Sequence, residues 1–236
     1  MGKGQIIITG VSTGIGYAIA KAALASGFQV QGIGRTAPAD LNESSGWSFV
    51  QADLTQEKEL ESVPFLANES DGPTVLINNA GTLGPVMPAG KADWNGINHA
   101  MALNVVAPMR MTARFLAEVS GERQVIFTGS GAAQFAIPGW SAYCASKSAI
   151  HMYAEVLQQE HPDVRIHAFK PGKVDTPMQA EIRATHQQDF PAVDAFKEEY
   201  EQGKLVAPET VAAKLLKVIE GPAEQPVVFA LSQITL

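Results

Sequence analysis

The sequence has one cysteine, few basic residues and no long apolar run, and each shortage excludes a class of protein. With Cys144 as the single cysteine among 236 residues, an internal disulfide is excluded. Lysine and arginine number 17 against 24 acidic residues, and the net charge of −7 argues against nucleic acid or an anionic membrane as a partner. An apolar run of about 18 residues and a signal peptide are both absent, so we expect a cytoplasmic protein.

Histidine is also scarce. The five histidines, His99, His151, His161, His167 and His186, lack the spacing of metal ligands, so no metal site is expected. The rest of the composition, with 46% apolar and 17% charged residues, is that of a globular protein with ample material for a buried core.

Short apolar segments alternate with helix-length segments along the chain. Seven strand candidates are apolar almost throughout, which is typical of parallel strands covered on both faces. They read QIIIT, FQVQGIG, WSFVQA, TVLINNA, QVIFTGS, VRIHAF and PVVFAL. Helical patterns cover residues 15–26, 56–67, 93–119, 141–159 and 208–219. This order predicts a single α/β domain over residues 1–236, a doubly wound parallel sheet of about seven strands with helices on both faces.

The alternation lapses in a polar, mixed segment at residues 173–205. A structureless loop of that length is unusual in a compact domain, so we expect one or two short helices that form a substrate lid. The alternative is a peripheral helical decoration without a function.

A glycine-rich segment, TGVSTGIG, follows the first strand candidate directly and runs into a helical pattern. In that position glycines permit a tight turn, and backbone N–H groups at a helix N-terminus bind a pyrophosphate. Gly10, Gly14 and Gly16 form GxxxGxG, which departs from the GxGxxG dinucleotide fingerprint. A plain strand-to-helix turn is the alternative.

A tyrosine followed four residues later by a lysine occurs three times, a spacing that places both side chains on one face of a helix. The pairs are Tyr17 with Lys21, Tyr143 with Lys147, and Tyr200 with Lys204. Only Tyr143 has a serine, Ser130, thirteen residues before it at the end of a strand candidate. We therefore predict that the other two pairs are structural.

Together these motifs resemble the short-chain dehydrogenase/reductase family, whose nucleotide loop reads TGxxxGxG. Further family-like segments follow in the family's order. They are Asp53 with Leu54, NNAG at 78–81, Asn104, Ser130, Tyr143 with Lys147, and PGKVDT at 171–176. The resemblance implies a Rossmann-like fold, a nicotinamide cofactor and carbonyl or alcohol chemistry. The segment GKLVAPETVAAKLL is similar to the sepiapterin reductase-like branch, which includes diketone reductases.

The resemblance implies four catalytic residues. Tyr143 is the general acid. Lys147, helped by the positive charge of the oxidised nicotinamide, lowers the pKa of that phenol from its ordinary value near 10 and also holds the nicotinamide ribose. Ser130 orients the substrate oxygen. Asn104 supports a water that connects the lysine to solvent, or is a buried amide that satisfies backbone groups.

The resemblance also implies a set of cofactor-binding residues. They are Gly10, Ser12, Thr13, Gly14, Ile15, Gly16, Arg35, Asp53, Leu54, Asn79, Ala80, Gly81, Tyr143, Lys147, Pro171, Gly172, Val174 and Thr176. If Asp53 is not a ligand, it is an acidic residue at a helix N-terminus. Gly34 occupies the position at which an acidic residue binds the ribose of NAD, and Arg35 follows it, which favours NADP(H) over NAD(H). Alternatively, Arg35 is a solvated arginine at a strand end.

Apolar side chains near these motifs indicate the substrate. Phe135, Ile137 and Trp140 precede Tyr143, and Met178, Phe190 and Phe196 lie in the expected lid. Lys173 is the one basic residue placed to bind a carboxylate or phosphate, so an uncharged apolar or aromatic ketone or diketone is expected. The alternative is that these residues are ordinary core.

The sequence thus predicts an NADPH-dependent carbonyl reductase acting on a small molecule. A dinucleotide-sensing regulator without turnover is the second hypothesis, and the presence of Ser130, Tyr143 and Lys147 weighs against it. The resemblance also implies a homodimer or homotetramer formed through the long helical segments 93–119 and 141–159.

Overall fold

The computed structural model describes residues 3–65, 71–222 and 225–235, and its centre is a seven-stranded parallel sheet. The strands are β1 (Gln5–Thr9), β2 (Gln29–Gly34), β3 (Trp47–Gln51), β4 (Thr74–Asn78), β5 (Arg123–Thr128), β6 (Arg165–Lys170) and β7 (Val228–Ala230). Their order across the sheet is β3-β2-β1-β4-β5-β6-β7. The predicted doubly wound α/β fold is therefore confirmed.

Helices connect the strands on both faces of the sheet. They are α1 (Gly14–Ala25), α2 (Glu57–Ser62), α3 (Trp94–Met101), α4 (Ala107–Glu118), α5 (Ser141–Glu160), α6 (Pro177–Arg183), α7 (Val193–Glu201) and α8 (Pro208–Glu220). No helix within the described ranges is long and apolar enough to span a membrane.

Two of the predicted helices differ from the structure. The segment 93–119 is not one regular helix, because a π-helical turn at Ala102–Val106 separates α3 from α4. The helix predicted over 56–67 ends at Ser62, and residues 66–67 lie outside the described residues. Val63 is extended because it precedes Pro64, whose ring disfavours a helical conformation in the residue before it.

The core lies on both faces of the sheet. Side chains alternate along β1, so Ile6 and Ile8 pack beneath α1 and α8, whereas Ile7 packs beneath α4 and α5. All three isoleucines are fully buried, as the uninterrupted apolar sequence of β1 requires.

The strand order reverses between β1 and β4, which are neighbours although β2 and β3 intervene in sequence. The connections leave these two strands toward opposite sides, and a crevice opens at their carboxyl ends. The loops after β1, β2, β4, β5 and β6 surround that crevice.

Candidate active site

A single cleft at the carboxyl edge of the sheet brings together almost all of the predicted site residues. The following line it: Gly10, Ser12, Thr13, Gly14, Ile15, Arg35, Asp53, Leu54, Asn79, Ala80, Gly81, Ser130, Tyr143, Lys147, Pro171, Gly172, Val174 and Thr176. Gly16 and Asn104 do not line it. Residues from seven separate stretches of sequence therefore meet at one edge, as the order of the motifs predicts.

The glycine loop after β1 is shaped by contacts that leave no room for side chains. Gly10 and Gly14 have φ values of +73° and +61°, in the left-handed region that favours glycine. A Cβ on Gly16 would lie 2.1 Å from the Gly10 carbonyl oxygen. Gly16 thus permits close packing of α1 against the loop, while Gly10 and Gly14 border the cleft.

Asn79 fixes this loop from beneath. Its Nδ2 donates to the carbonyl oxygens of Thr9 and Gly10 at 3.1 and 2.9 Å, and its Oδ1 accepts from the Thr128 hydroxyl at 3.1 Å. The Thr9 hydroxyl accepts from the backbone N–H groups of Asn79 and Ala80, both at 3.0 Å. The ends of β1, β4 and β5 are therefore joined by hydrogen bonds. The motifs do not mark Thr9 and Thr128, although both stand at strand ends beside a motif.

The distal end of the cleft carries one acidic and one basic residue. Arg35 follows β2 and is exposed. Asp53 accepts hydrogen bonds from the Thr55 backbone N–H and hydroxyl at 3.0 and 2.8 Å. The bond from the Thr55 backbone is the largest influence lowering the pKa of Asp53. The alternative that Asp53 belongs to a helix N-terminus is wrong, because it closes a turn four residues ahead of α2.

Ser130, Tyr143 and Lys147 meet in the centre of the cleft. Tyr143 and Lys147 lie one turn apart on α5 and are 8% and 6% exposed. The Lys147 Nζ lies 5.6 Å from the centroid of the Tyr143 ring and donates to the Thr128 carbonyl oxygen at 2.8 Å. Ser130 follows β5; its Oγ accepts from the Ala132 backbone N–H at 3.1 Å, and its side chain acts to lower the pKa of Tyr143.

The pKa of Tyr143 is not lowered, contrary to the sequence-based expectation. Burial raises the pKa of this phenol, and the nearby Ser130 side chain opposes the change. Burial also lowers the pKa of Lys147 to about 8. The low-polarity surroundings disfavour the charged form of both groups, so the phenol is held in the protonated form that a general acid requires.

Asn104 lies behind the cleft and holds its wall. It belongs to the π-helical turn, and its Nδ2 donates to the Thr82 carbonyl oxygen and the Ser146 hydroxyl at 2.8 and 3.1 Å. Its Oδ1 accepts from the Thr82 backbone N–H at 2.9 Å. This arrangement matches the alternative of a buried amide that satisfies backbone groups. Such π turns are frequent at functional sites, and this one ties the loop after β4 to α5.

The opposite end of the cleft has apolar walls. Phe135, Ile137, Trp140, Met178 and Phe196 line it, and Phe135 is 68% exposed. The expectation that Phe190 also faces the cleft is wrong. Phe190 is fully buried and stacks on Trp140 with ring centroids 5.0 Å apart, so it supports the wall from behind.

Lys173 is engaged by other side chains. Its Nζ lies 4.5 Å from the centroid of the Phe196 ring and forms an ion pair with Glu199. Two side chains of α7 thus largely compensate the charge of Lys173. Among the described residues that line the apolar end of the cleft, none presents a free cation.

The other two tyrosine and lysine pairs have structural contacts. The Tyr17 hydroxyl donates to Asp40 Oδ2 at 2.6 Å, and the Tyr200 ring packs 3.8 Å from the Arg183 guanidinium carbon. Neither tyrosine lines the cleft. The spacing alone did not separate these pairs from Tyr143, whereas the position of Ser130 did.

Comparison with known proteins agrees with this geometry. The model of the short chain dehydrogenase family matches residues 5–187. A benzil reductase ((S)-benzoin forming) of Bacillus cereus is 35% identical over 91% of this chain and 93% of its own length. A sepiapterin reductase of Rattus norvegicus is 34% identical over 78% of this chain and 69% of its own length. The crystal structure of the KRED1-Pglu enzyme superposes with a TM-score of 0.85 at 27% identity, covering 95% of this chain and 99% of that one.

Proposed function

The chain belongs to the short-chain dehydrogenase/reductase family, and from that premise we propose that it is an NADPH-dependent reductase of uncharged aromatic ketones or diketones. Family membership makes it an oxidoreductase of carbonyl or alcohol groups that uses a nicotinamide dinucleotide. The observation that carries the finer proposal is the cleft itself. It holds Ser130, Tyr143 and Lys147 between a glycine loop beside Arg35 and a wall of apolar rings.

The preference for NADP(H) is supported by the end of β2. Arg35 is exposed beside the cleft, where its guanidinium is available to a ribose phosphate. Gly34 supplies no carboxylate that would bind an unmodified ribose and repel a phosphate. Ser12 and Thr13 are exposed in the adjacent loop and offer further donors.

The substrate class is supported by the opposite wall. Aromatic and aliphatic side chains favour a planar apolar group through burial of its surface. Lys173 is already paired with Glu199, which disfavours a substrate carboxylate as a partner of this lysine. The similarity to benzil reductases over nine tenths of the chain agrees with an aromatic diketone.

The residues divide the chemistry among them. A reduced nicotinamide, when bound, supplies the hydride that adds to the carbonyl carbon. Tyr143 donates its phenolic proton to the carbonyl oxygen as negative charge develops there, and Ser130 donates a hydrogen bond to the same oxygen. Lys147, as an ammonium, offsets the charge of the phenolate that remains.

Two further features of the family complete the proposal. Helices α6 and α7 within residues 173–205 form a lid, since Met178 and Phe196 line the cleft from these helices. The chain forms a homodimer or homotetramer through α4 and α5, whose outer faces expose Val106 beside α4, Met109, Met152 and Val156.

A substrate panel tests this function. Benzil, an aliphatic ketone and a pterin are each incubated with NADPH or NADH, and the loss of the reduced cofactor is followed by absorbance. We expect turnover of benzil with NADPH in preference to the other combinations. Tight binding of NADPH without turnover of any carbonyl would favour the second hypothesis, a dinucleotide-sensing regulator.

A further inference from the structure

A buried histidine contacts the catalytic serine from a helix that also carries the tyrosine and the lysine. His151 is 8% exposed and lies on α5, one turn beyond Lys147 and two turns beyond Tyr143. The three side chains therefore follow one face of the helix at intervals of four residues. His151 does not line the cleft and takes no direct part in the chemistry of Ser130, Tyr143 and Lys147.

The His151 imidazole occupies the space that a side chain on Gly129 would fill. A Cβ on Gly129 would lie 2.4 Å from His151 Nε2 and 3.0 Å from the Phe169 carbonyl oxygen. Gly129 has no positive φ, so contact rather than backbone conformation requires a glycine there. The ring and the glycine are complementary in shape, and the ring thereby reaches the backbone beside Ser130.

At that point the ring forms a hydrogen bond with the serine. The backbone N–H of Ser130 donates to His151 Nε2 at 3.4 Å. An Nε2 that accepts carries no proton, so the ring is the neutral tautomer protonated on Nδ1. Burial lowers the pKa of His151 to about 4, and the nearby Lys170 and Lys147 act in the same direction. The acceptor is consequently available at neutral pH.

Helix α5 thus holds two successive parts of the segment that leaves β5. Lys147 binds the Thr128 carbonyl oxygen, and His151 binds the Ser130 N–H two residues later. Because Tyr143 lies on the same helix, α5 fixes the place of Ser130 relative to the Tyr143 hydroxyl. A displacement of about 1 Å between such groups lowers a rate by roughly 100-fold.

We propose that His151 is a positioning residue, which accepts the backbone N–H of Ser130 and thereby sets the place of the Ser130 hydroxyl opposite the substrate carbonyl. The proposal rests on the carbonyl reductase function. His151 does not line the cleft, so it acts only through the serine.

Substitution of His151 by leucine removes the acceptor at similar volume, and glutamine restores one. In His151→Leu we expect kcat with benzil and NADPH to fall by about 10-fold or more while the Kd for NADPH changes less than about twofold. In His151→Gln we expect partial recovery of kcat. His167→Leu is the matched control, since His167 is 3% exposed on β6 and does not line the cleft. Thermal unfolding of each variant reports whether the fold is intact.

A double-mutant cycle separates positioning from a general structural effect. Because His151 acts through Ser130, His151→Leu should cost little further rate in a Ser130→Ala background. Equal losses of rate in both backgrounds would overturn the proposal, as would unchanged kcat in a folded His151→Leu protein.

Nitrogen NMR of the protein labelled in histidine tests the same contact without turnover. We expect His151 at pH 7 to be neutral, with the proton on Nδ1 and Nε2 unprotonated. A proton on Nε2, or a charged ring, would overturn the proposal even if no carbonyl substrate were reduced. Failure of the benzil assay with the expected tautomer would instead contradict the proposed function.

Discussion

The Lys147 ammonium lies 5.6 Å from the centroid of the Tyr143 ring but points to the Thr128 carbonyl oxygen, 2.8 Å away. The lysine is therefore held by the backbone rather than by the phenol. Burial raises the pKa of Tyr143 and lowers that of Lys147. The pair favours a protonated phenol beside an amine that gains or loses its proton near neutral pH, an arrangement suited to reduction of a carbonyl.

Lys147→Met should produce a more stable protein without activity. The pKa of Lys147 falls from 10.5 to about 8 on folding, so the folded chain binds fewer protons than the unfolded chain between these values. Below about pH 8 the buried charge costs stability on the order of 3 kcal/mol, and above pH 10.5 this cost is absent. Urea unfolding of the wild type and Lys147→Met at several pH values measures this cost in the free energy of unfolding.

The matched control for that experiment is Lys21→Met, since Lys21 lies beside Tyr17 on the exposed side of α1 at the same spacing. We expect Lys21→Met to keep the wild-type rise in stability between about pH 8 and 10.5, because Lys147 is still present in this variant. A Lys147→Met protein that is less stable than the wild type at pH 7 would contradict the account of the buried charge.

Arg35 and Gly34 should determine the choice of cofactor. Loss of the guanidinium in Arg35→Ala should raise the KM for NADPH by about 10-fold or more, since a charged hydrogen bond is lost, with little effect on NADH. Gly34→Asp is sterically permitted, because the nearest atom to a new Cβ is the Gly10 nitrogen at 4.0 Å. Combined with Arg35→Ala it should give a preference for NADH. Steady-state kinetics with both cofactors measure the change.

Arg110→Ala is the control for these variants, because Arg110 is an exposed arginine paired with Glu61 away from the cleft. It should leave both KM values unchanged. Equal changes for NADH and NADPH in Arg35→Ala would remove Arg35 from cofactor selection.

His151 should make the protein sensitive to acid. Its pKa is 6.5 in an ordinary environment and about 4 in the folded protein, so protons bind preferentially to the unfolded chain between these values. The free energy of unfolding therefore falls as the pH is lowered from 6.5 towards 4. His151→Gln should reduce this fall, as measured by urea unfolding at pH 7 and pH 5. An identical fall in both proteins would contradict the lowered pKa of His151 in the folded state.

The apolar faces of α4 and α5 should form the contact between subunits. Met152 is 60% and Val156 is 42% exposed, and they lie one turn apart on α5. Changing both to lysine should place charges in the interface and give a monomer by light scattering after size exclusion. Tyr200→Lys, which changes an exposed residue of α7, should leave the mass unchanged. A monomeric wild type would contradict the proposed assembly.

Much of the fold could be predicted because the strands are distinctive in sequence. The uninterrupted apolar segments mark strands covered on both faces, and glycine, serine and tyrosine at fixed offsets mark the edge where they meet. The break between α3 and α4 was not predictable, since the apolar pattern continues through Ala102–Val106 and the π turn depends on hydrogen bonds of Asn104 to distant residues.

The direction of the Tyr143 pKa was also beyond the sequence. A lysine four residues away indicates a nearby cation, whereas the burial of both side chains depends on the loops that cover them. His151 escaped notice for the same reason, because its contact with Ser130 joins residues 21 apart. The prediction that Phe190 faces the cleft is wrong because composition does not distinguish the two faces of an aromatic wall.

The most direct test of the account is the turnover of benzil with NADPH by Tyr143→Phe, with Tyr17→Phe as the matched control. Loss of the proton donor should lower kcat by about 100-fold or more while NADPH still binds, as followed by cofactor fluorescence. Tyr17→Phe should retain kcat, since Tyr17 lies outside the cleft. Full turnover of benzil by Tyr143→Phe would contradict the assignment of this phenol as the acid.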